Sequence, residues 1–260
     1  MKSQKPPKIQ QRYFADFSYN GTNYHGWQSQ KNASSIQQTI ENCLSYLLNQ
    51  PIKIYGAGRT DTGVHARQMI AHFDVDLSNE LLQSSINQIN SCLGRDIKLN
   101  AIKQVKNDAQ ARFDAISRTY QYHIHFEKDV FQQELSYYVF HPLNHDDIIE
   151  AIDLIQNHSD YKCFSKSKSD VTHFHCDLQH IHWNYDRQKA VLTIKANRFL
   201  RGMVRSIVGT LIEIGINKIQ LSELVSILNS RDRKRAGFSV PSKGLFLTSI
   251  EYPPDIYLSQ

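Results

Sequence analysis

Gly56-Ala57-Gly58-Arg59-Thr60-Asp61-Thr62-Gly63-Val64-His65-Ala66 sets three glycines within eight residues around a single carboxylate, Asp61. Glycine tolerates the positive-φ backbone of tight turns, so the stretch predicts a loop that presents Asp61 and does not bury it. Phosphate-cradling motifs fail on the spacing. A G-x-G-x-x-G fingerprint needs glycine where Asp61 stands, and the P-loop needs Gly-Lys-Ser/Thr. Asp61-Thr62-Gly63 imitates the D-T-G of aspartic proteases, which work by two carboxylates sharing one proton, but the motif occurs once in this chain. Arg59 sits two residues upstream, and a close cation lowers a carboxyl pKa by about one to three units. One permanently ionised carboxylate beside guanidinium groups suits a nucleophile. The same residues fit an aspartate that caps a turn, and both readings stand at this point.

Outward from the loop, Arg12 to Tyr19 reads as an aromatic-rich strand closed by the turn signal Asn20-Gly21. From Ser35 the apolar residues Ile36, Ile40, Cys43, Leu44, Leu47 and Leu48 recur at helical spacing, and Ser35 with Gln38 forms an S-x-x-Q capping box. Met69 to Val75 predicts a strand, Glu80 to Leu93 a helix and Ile97 to Val105 another strand. Arg118 to Phe126 alternates strictly, with Tyr120, Tyr122, Ile124 and Phe126 on one face. A helix over 146–156, a polar stretch over 165–170, strands over 180–185 and 190–196, helices over 199–214 and 221–228 and a strand over 245–252 complete the reading.

The order strand, helix, strand, strand, helix, strand runs roughly twice, with no repeat at the level of sequence. It predicts an α+β fold of two similar α/β halves, their antiparallel sheets joined into a central sheet with helices on one face and a ligand cleft on the other. The expected division is a flexible arm over 1–11, a first subdomain over 12–110 carrying the loop, and a second over 111–260.

Two hundred and sixty residues with 30 Lys plus Arg against 25 Asp plus Glu make a folded chain of net charge +5 and pI near 8.9. That balance permits a polyanion partner, most visibly at Arg231-Asp232-Arg233-Lys234-Arg235, though such runs also form solvated faces. No apolar run approaches the roughly 18 residues of a membrane span, and the polar N-terminus lacks the apolar stretch of a secretory signal. A cytoplasmic protein is expected. Of four cysteines none are spaced C-x-x-C, and Cys43 and Cys92, within apolar patterns, are expected to be buried thiols. His173, His175, Cys176, His180 and His182 invite a zinc reading, but spacing two places them on strand faces, and no metal is assigned.

At Gly58 to Ala66 the chain resembles the signature of the TruA family of tRNA pseudouridine synthases, and the resemblance runs over nearly its whole length. Further matches are Asp16-Phe17-Ser18-Tyr19-Asn20-Gly21-Thr22 with Gly26-Trp27-Gln28, and Ala111-Arg112-Phe113-Asp114-Ala115 followed by Arg118-Thr119-Tyr120. Phe199-Leu200-Arg201-Gly202-Met203-Val204-Arg205 with Gly209 and Thr210, then Lys243-Gly244-Leu245, complete five motifs in order. The chain departs from the family at Arg201 and Gly202, where two histidines occur in some members, and at Ala236 to Pro241, where many carry threonine and alanine.

The resemblance implies isomerisation of uridine to pseudouridine on the 3′ side of the anticodon stem-loop, positions 38 to 40 of the tRNA, with no metal or cofactor. It implies Asp61 as nucleophile and Tyr120 stacked on the target uracil, assisting proton removal from C5. Arg205 would pair with Asp61, and Arg59 would follow the flipped base's exit. Arg59, Thr60, His65 and Tyr120 are then the substrate-binding residues. It also implies a homodimer with tRNA as partner and no membrane. Gly202, Arg205 or Ser206, and Gly209 form a small-residue stripe on their helix that lets another element come close. A non-catalytic RNA-binding or chaperone protein of the same fold is the alternative from another class, and a positioned nucleophile speaks against it. A D-T-G hydrolase would require pepstatin-type inhibition and activity at acid pH.

Overall fold

The structure is a computed structural model that describes residues 10–166 and 172–258. Most of the expected arm, and most of the polar stretch over 165–170, lie outside the described residues. The chain forms two compact units, one of residues up to Ile116 together with those from Ser249, the other of Ser117–Thr248.

In the first unit the elements are β1 (Gln11–Tyr19), α1 (Ile36–Leu47), β2 (Tyr55–Gly56), β3 (His65–Val75), α2 (Asn79–Leu93) and β4 (Ile97–Gln104). β1 runs antiparallel to both β3 and β4, and β2 pairs with β3. The register sets Tyr13 against Phe73, Ala15 against Ala71 and Phe17 against Met69, so one face of the sheet is a continuous buried apolar layer. α1 buries Ile36, Ile40 and Leu44, each worth about 1.5 to 3 kcal/mol of transfer. Its N-cap forms as expected, Ser35 accepting from Gln38 N at 3.2 Å. The Gln38 side chain is turned elsewhere, to Ser29 and Asn42, so only half of the capping box closes.

The opposite face is polar at its edge and aromatic beyond. Arg12 donates to Asp74 through two parallel bonds of 2.7 and 2.8 Å, which raises the arginine's pKa and lowers the carboxyl's. Phe14 packs on Tyr252 at 4.9 Å, and Tyr252 donates to Ala111 O at 2.6 Å. Ala111 N in turn donates to His72 Nδ1 at 3.1 Å. Ala111 is thus tied both to β3, through His72, and to Tyr252 near the end of the chain.

The second unit contains β5 (Ser117–His125), β6 (Tyr137–Tyr138), α3 (His145–Gln156), β7 (Leu178–Tyr185), β8 (Lys189–Ala196), α4 (Met203–Gly215) and α5 (Leu224–Ser230). The unit boundary falls inside the last strand, β9 (Leu245–Glu251). β8 pairs antiparallel with β5 and β7, and β6 runs parallel to β5. Tyr122, Leu192 and Trp183 share one rung and are all buried, with α3 on that side through a Trp183 Nε1 bond to His145 Nδ1 of 3.1 Å.

Some expectations need correction. The helix expected from Phe199 begins at Met203, because Gly202 takes φ +74° and stops any earlier turn. The expected helix over 221–228 is a 3-10 turn, Leu221–Glu223, followed by α5. β3 starts at His65, four residues before the periodic signal. Cys43 is buried but Cys92 is exposed. Of the basic run, Arg231 pairs with Asp160 at 3.0 Å, Arg233 donates to the Ala236 and Gly237 carbonyls and Arg235 to Ser226, so these arginines knit the chain to itself.

His72 gives a pH test of the first unit. Burial, then the charge of Arg12, lowers its pKa from 6.5 to about 4. Above pH 6.5 folded and unfolded chains are both neutral there. Between pH 6.5 and about 4 the unfolded chain takes up a proton that the folded one refuses, so stability falls by on the order of 2 to 3 kcal/mol. His72→Asn keeps an acceptor for Ala111 N without a titrating ring. Urea denaturation at pH 7 and pH 4.5 should show a smaller acid loss in the variant; an equal loss would exclude His72 as its source.

Candidate active site

The loop carrying Asp61 is held by backbone contacts that the Gly21 to Gln28 segment makes possible. A Cβ on Gly21 would lie 2.0 Å from Val64 O, and one on Gly26 would lie 2.5 Å from Thr60 O. Only glycine fits either place, and Gly26 also has φ +87°. Through this close approach Trp27 N donates to Thr60 O at 3.1 Å, Gly63 N to Tyr24 O at 3.3 Å and Gly21 N to His65 Nδ1 at 3.1 Å. Inside the loop Val64 N donates to Asp61 O, closing a turn whose third residue, Gly63, has φ +74°.

Of the three loop glycines only Gly63 uses positive φ. Gly56 is needed for a different reason: a Cβ there would meet the buried Trp27 ring at 2.5 Å. Gly58 faces open space.

The side chains divide by burial. Thr60 is 7% exposed and its hydroxyl bonds the Tyr19 hydroxyl at 2.8 Å, while His65 is 1% exposed. Asp61 is half-buried and Arg59 exposed. Arg59 Nε donates to Gln28 Oε1 at 3.1 Å, Gln28 to Gln37 at 2.7 Å, and Gln37 to the buried Glu41 at 3.1 Å. Glu41 also accepts from Ile54 N and from Lys53. Arg59 is therefore the outer end of a satisfied polar chain rooted in α1. No apolar periodicity announces that chain, and only the Gly26-Trp27-Gln28 motif hints at it.

The second unit carries Tyr120 and Arg205. Tyr120 is half-buried on β5, its ring edge-on to Phe199 at 5.1 Å. Arg205 lies in the first turn of α4, where Nε donates to Val240 O at 2.7 Å and its carbonyl accepts from Val240 N. The element that approaches the small-residue stripe is the 236–240 segment. A Cβ on Gly209 would lie 1.8 Å from Phe238 O, and Gly237 N donates to Thr210 Oγ1 at 2.9 Å. The 236–241 segment is thereby fixed to α4, and Pro241 O accepts from Tyr122 OH at 2.7 Å. Among the described residues no group of three or more His, Cys, Asp or Glu is placed to hold a metal.

The family described as tRNA pseudouridine synthase matches residues 15–114 and 156–253, which include the loop, Ala111 to Asp114 and all of α4. The chain belongs to that family. It is similar to tRNA pseudouridine synthase A of Porphyromonas gingivalis, 42% identical over 250 residues covering 95% of this chain and 99% of that protein. It is likewise similar to the synthase of the same name from Azobacteroides pseudotrichonymphae, at 45% over 248 residues covering 95% and 98%. A more distant relative, from Hydrogenovibrio crunogenus, is 35% identical over 243 residues, 92% of each chain. For a member of the tRNA pseudouridine synthase family, the glycines under the loop become a test. Gly26→Ala, strained in φ and blocked by Thr60 O, should destabilise by about 1 to 3 kcal/mol and cut kcat at least tenfold in the surviving folded protein. Gly58→Ala should change stability by less than about 0.5 kcal/mol. Wild-type kcat in Gly26→Ala would show that the contact does not set the loop.

Proposed function

We propose that the protein isomerises uridine to pseudouridine on the 3′ side of the anticodon stem-loop of tRNA, with Asp61 as nucleophile. Family membership makes it an isomerase of tRNA uridine. The position in the tRNA and the role of Asp61 are the further steps. The observation that supports the role of Asp61 is the posture of the loop: Thr60 and His65 are buried and bonded beneath it, while Asp61 stays half-exposed at the head of the turn.

The target uridine must leave its stack, at a cost of a few kcal/mol that stacking and hydrogen bonds in the site offset. Asp61 attacks the nucleotide, and the N1–C1′ bond breaks. The uracil turns, C5 bonds to C1′, the bond to Asp61 breaks and restores its carboxylate, C5 loses its proton and N1 gains one, so the product is an isomer of the substrate and the enzyme is regenerated. Tyr120 would stack on the uracil and assist proton removal, Arg205 would supply positive charge, and Arg59 would contact the nucleotide. Thr60 and His65 would serve it from below by holding the loop. The working form is taken to be a cytoplasmic homodimer that uses no metal or redox cofactor; among the described residues no helix is long and apolar enough to cross a membrane.

Asp61→Asn should abolish pseudouridine formation in tRNA while the affinity for tRNA changes by less than about tenfold, or 1.4 kcal/mol. Turnover retained in that variant would remove the nucleophile assignment.

A further inference from the structure

Arg201 lies in the segment that leads into α4. It is exposed immediately before the Gly202 cap of α4, and its carbonyl accepts from Lys166 N at 2.8 Å, which brings the exposed Lys166 to the same place. Three residues earlier, Arg198 donates through Nη1 to a ring nitrogen of His173 at 2.8 Å. Between them lies Phe199, the residue whose ring meets Tyr120 at 5.1 Å. His173 brings no negative charge to offset the Arg198 guanidinium, and the bond sets the direction in which Arg198 points. Among the described residues neither Arg198, Arg201 nor Lys166 is joined to a carboxylate. This differs from the run at 231–235, whose arginines are spent on Asp160 and on backbone carbonyls.

We propose that Arg198, Arg201 and Lys166 form a phosphate clamp that grips the RNA backbone beside the nucleotide held against Tyr120, with His173 as a positioning residue. Arg198 and Arg201 on one short stretch, with Lys166 tied beside Arg201 through its backbone, suit a run of successive phosphates better than a single small anion. They belong to the same unit as Tyr120, joined to it through Phe199. The inference rests on the reading that the substrate is tRNA. It adds that this chain fixes the backbone next to the target with residues of its own, while the chemistry stays with Asp61.

The test is the triple variant Arg198→Gln, Arg201→Gln, Lys166→Gln, compared with a control triple at exposed cations of the same unit, Lys128→Gln, Arg187→Gln, Lys189→Gln. Each neutralised phosphate contact lowers the slope of log affinity against log salt by about 0.7 to 0.9, so the clamp variant should lose about 2 from that slope and the control much less. KM for tRNA should rise at least about tenfold with kcat within about twofold of wild type, and His173→Ala should move KM in the same direction by less. Equal salt slopes in the two triples, or a loss confined to kcat, would overturn the clamp. Repeating the binding measurements in the Asp61→Asn background separates the two claims, because the slope is read there without turnover. Failure of the nucleophile reading would leave the slope difference standing.

Discussion

A missing pair of methyl groups decides where the Asp61 carboxylate sits. Gly21 and Gly26 let one backbone segment lie directly on another, 2.0 and 2.5 Å from where any Cβ would be, and the bonds from Trp27 N and Gly63 N exist only because of that approach. With the Tyr19 and Thr60 hydroxyls joined beneath, the loop has few ways to relax. Asp61 is therefore offered by a surface whose own polar groups are satisfied, the condition under which a preorganised group acts without reorganising at the moment of reaction.

The second unit uses the same device twice. Gly209 admits Phe238 O against α4, and Gly244 admits the His123 carbonyl and the Tyr122 ring at 2.7 and 2.9 Å from a built Cβ. Both contacts end near residues of functional interest, Arg205 through Val240 and Tyr120 through its strand neighbours. Where a side chain would ordinarily mediate packing, backbone meets backbone. Such joints are short, directional and intolerant of added volume, whereas the helices around them rest on apolar burial that tolerates exchange.

How much of this can be read from sequence depends on what kind of signal each feature leaves. α1, α2 and α3 announce themselves through Ile36, Ile40 and Leu44, through Leu82 and Ile89, and through Ile148, Ile152 and Ile155, because burial writes a period into the chain. β8 alternates for the same reason. The start of α4 is harder: Phe199 and Leu200 continue the apolar pattern, and only the sign of φ at Gly202 ends it. The glycine loop is recognisable as a motif, yet the reason for each glycine is not. Gly63 turns the chain, Gly56 makes room for Trp27, and Gly58 does neither. The polar chain from Arg59 to Glu41 joins residues 18 apart through Gln28 and Gln37, and the return of the chain from Ser249 to the first unit spans far more. Contacts of that range leave no local period to detect.

The central claim is that the carboxylate raised by this loop meets the target uridine. A structure of Asp61→Asn bound to tRNA tests it most directly. The account predicts a uridine turned out of the anticodon arm, its uracil on the Tyr120 ring and its ribose against residue 61. A bound tRNA whose uridines all remain stacked, with residue 61 turned away from the RNA, would contradict it.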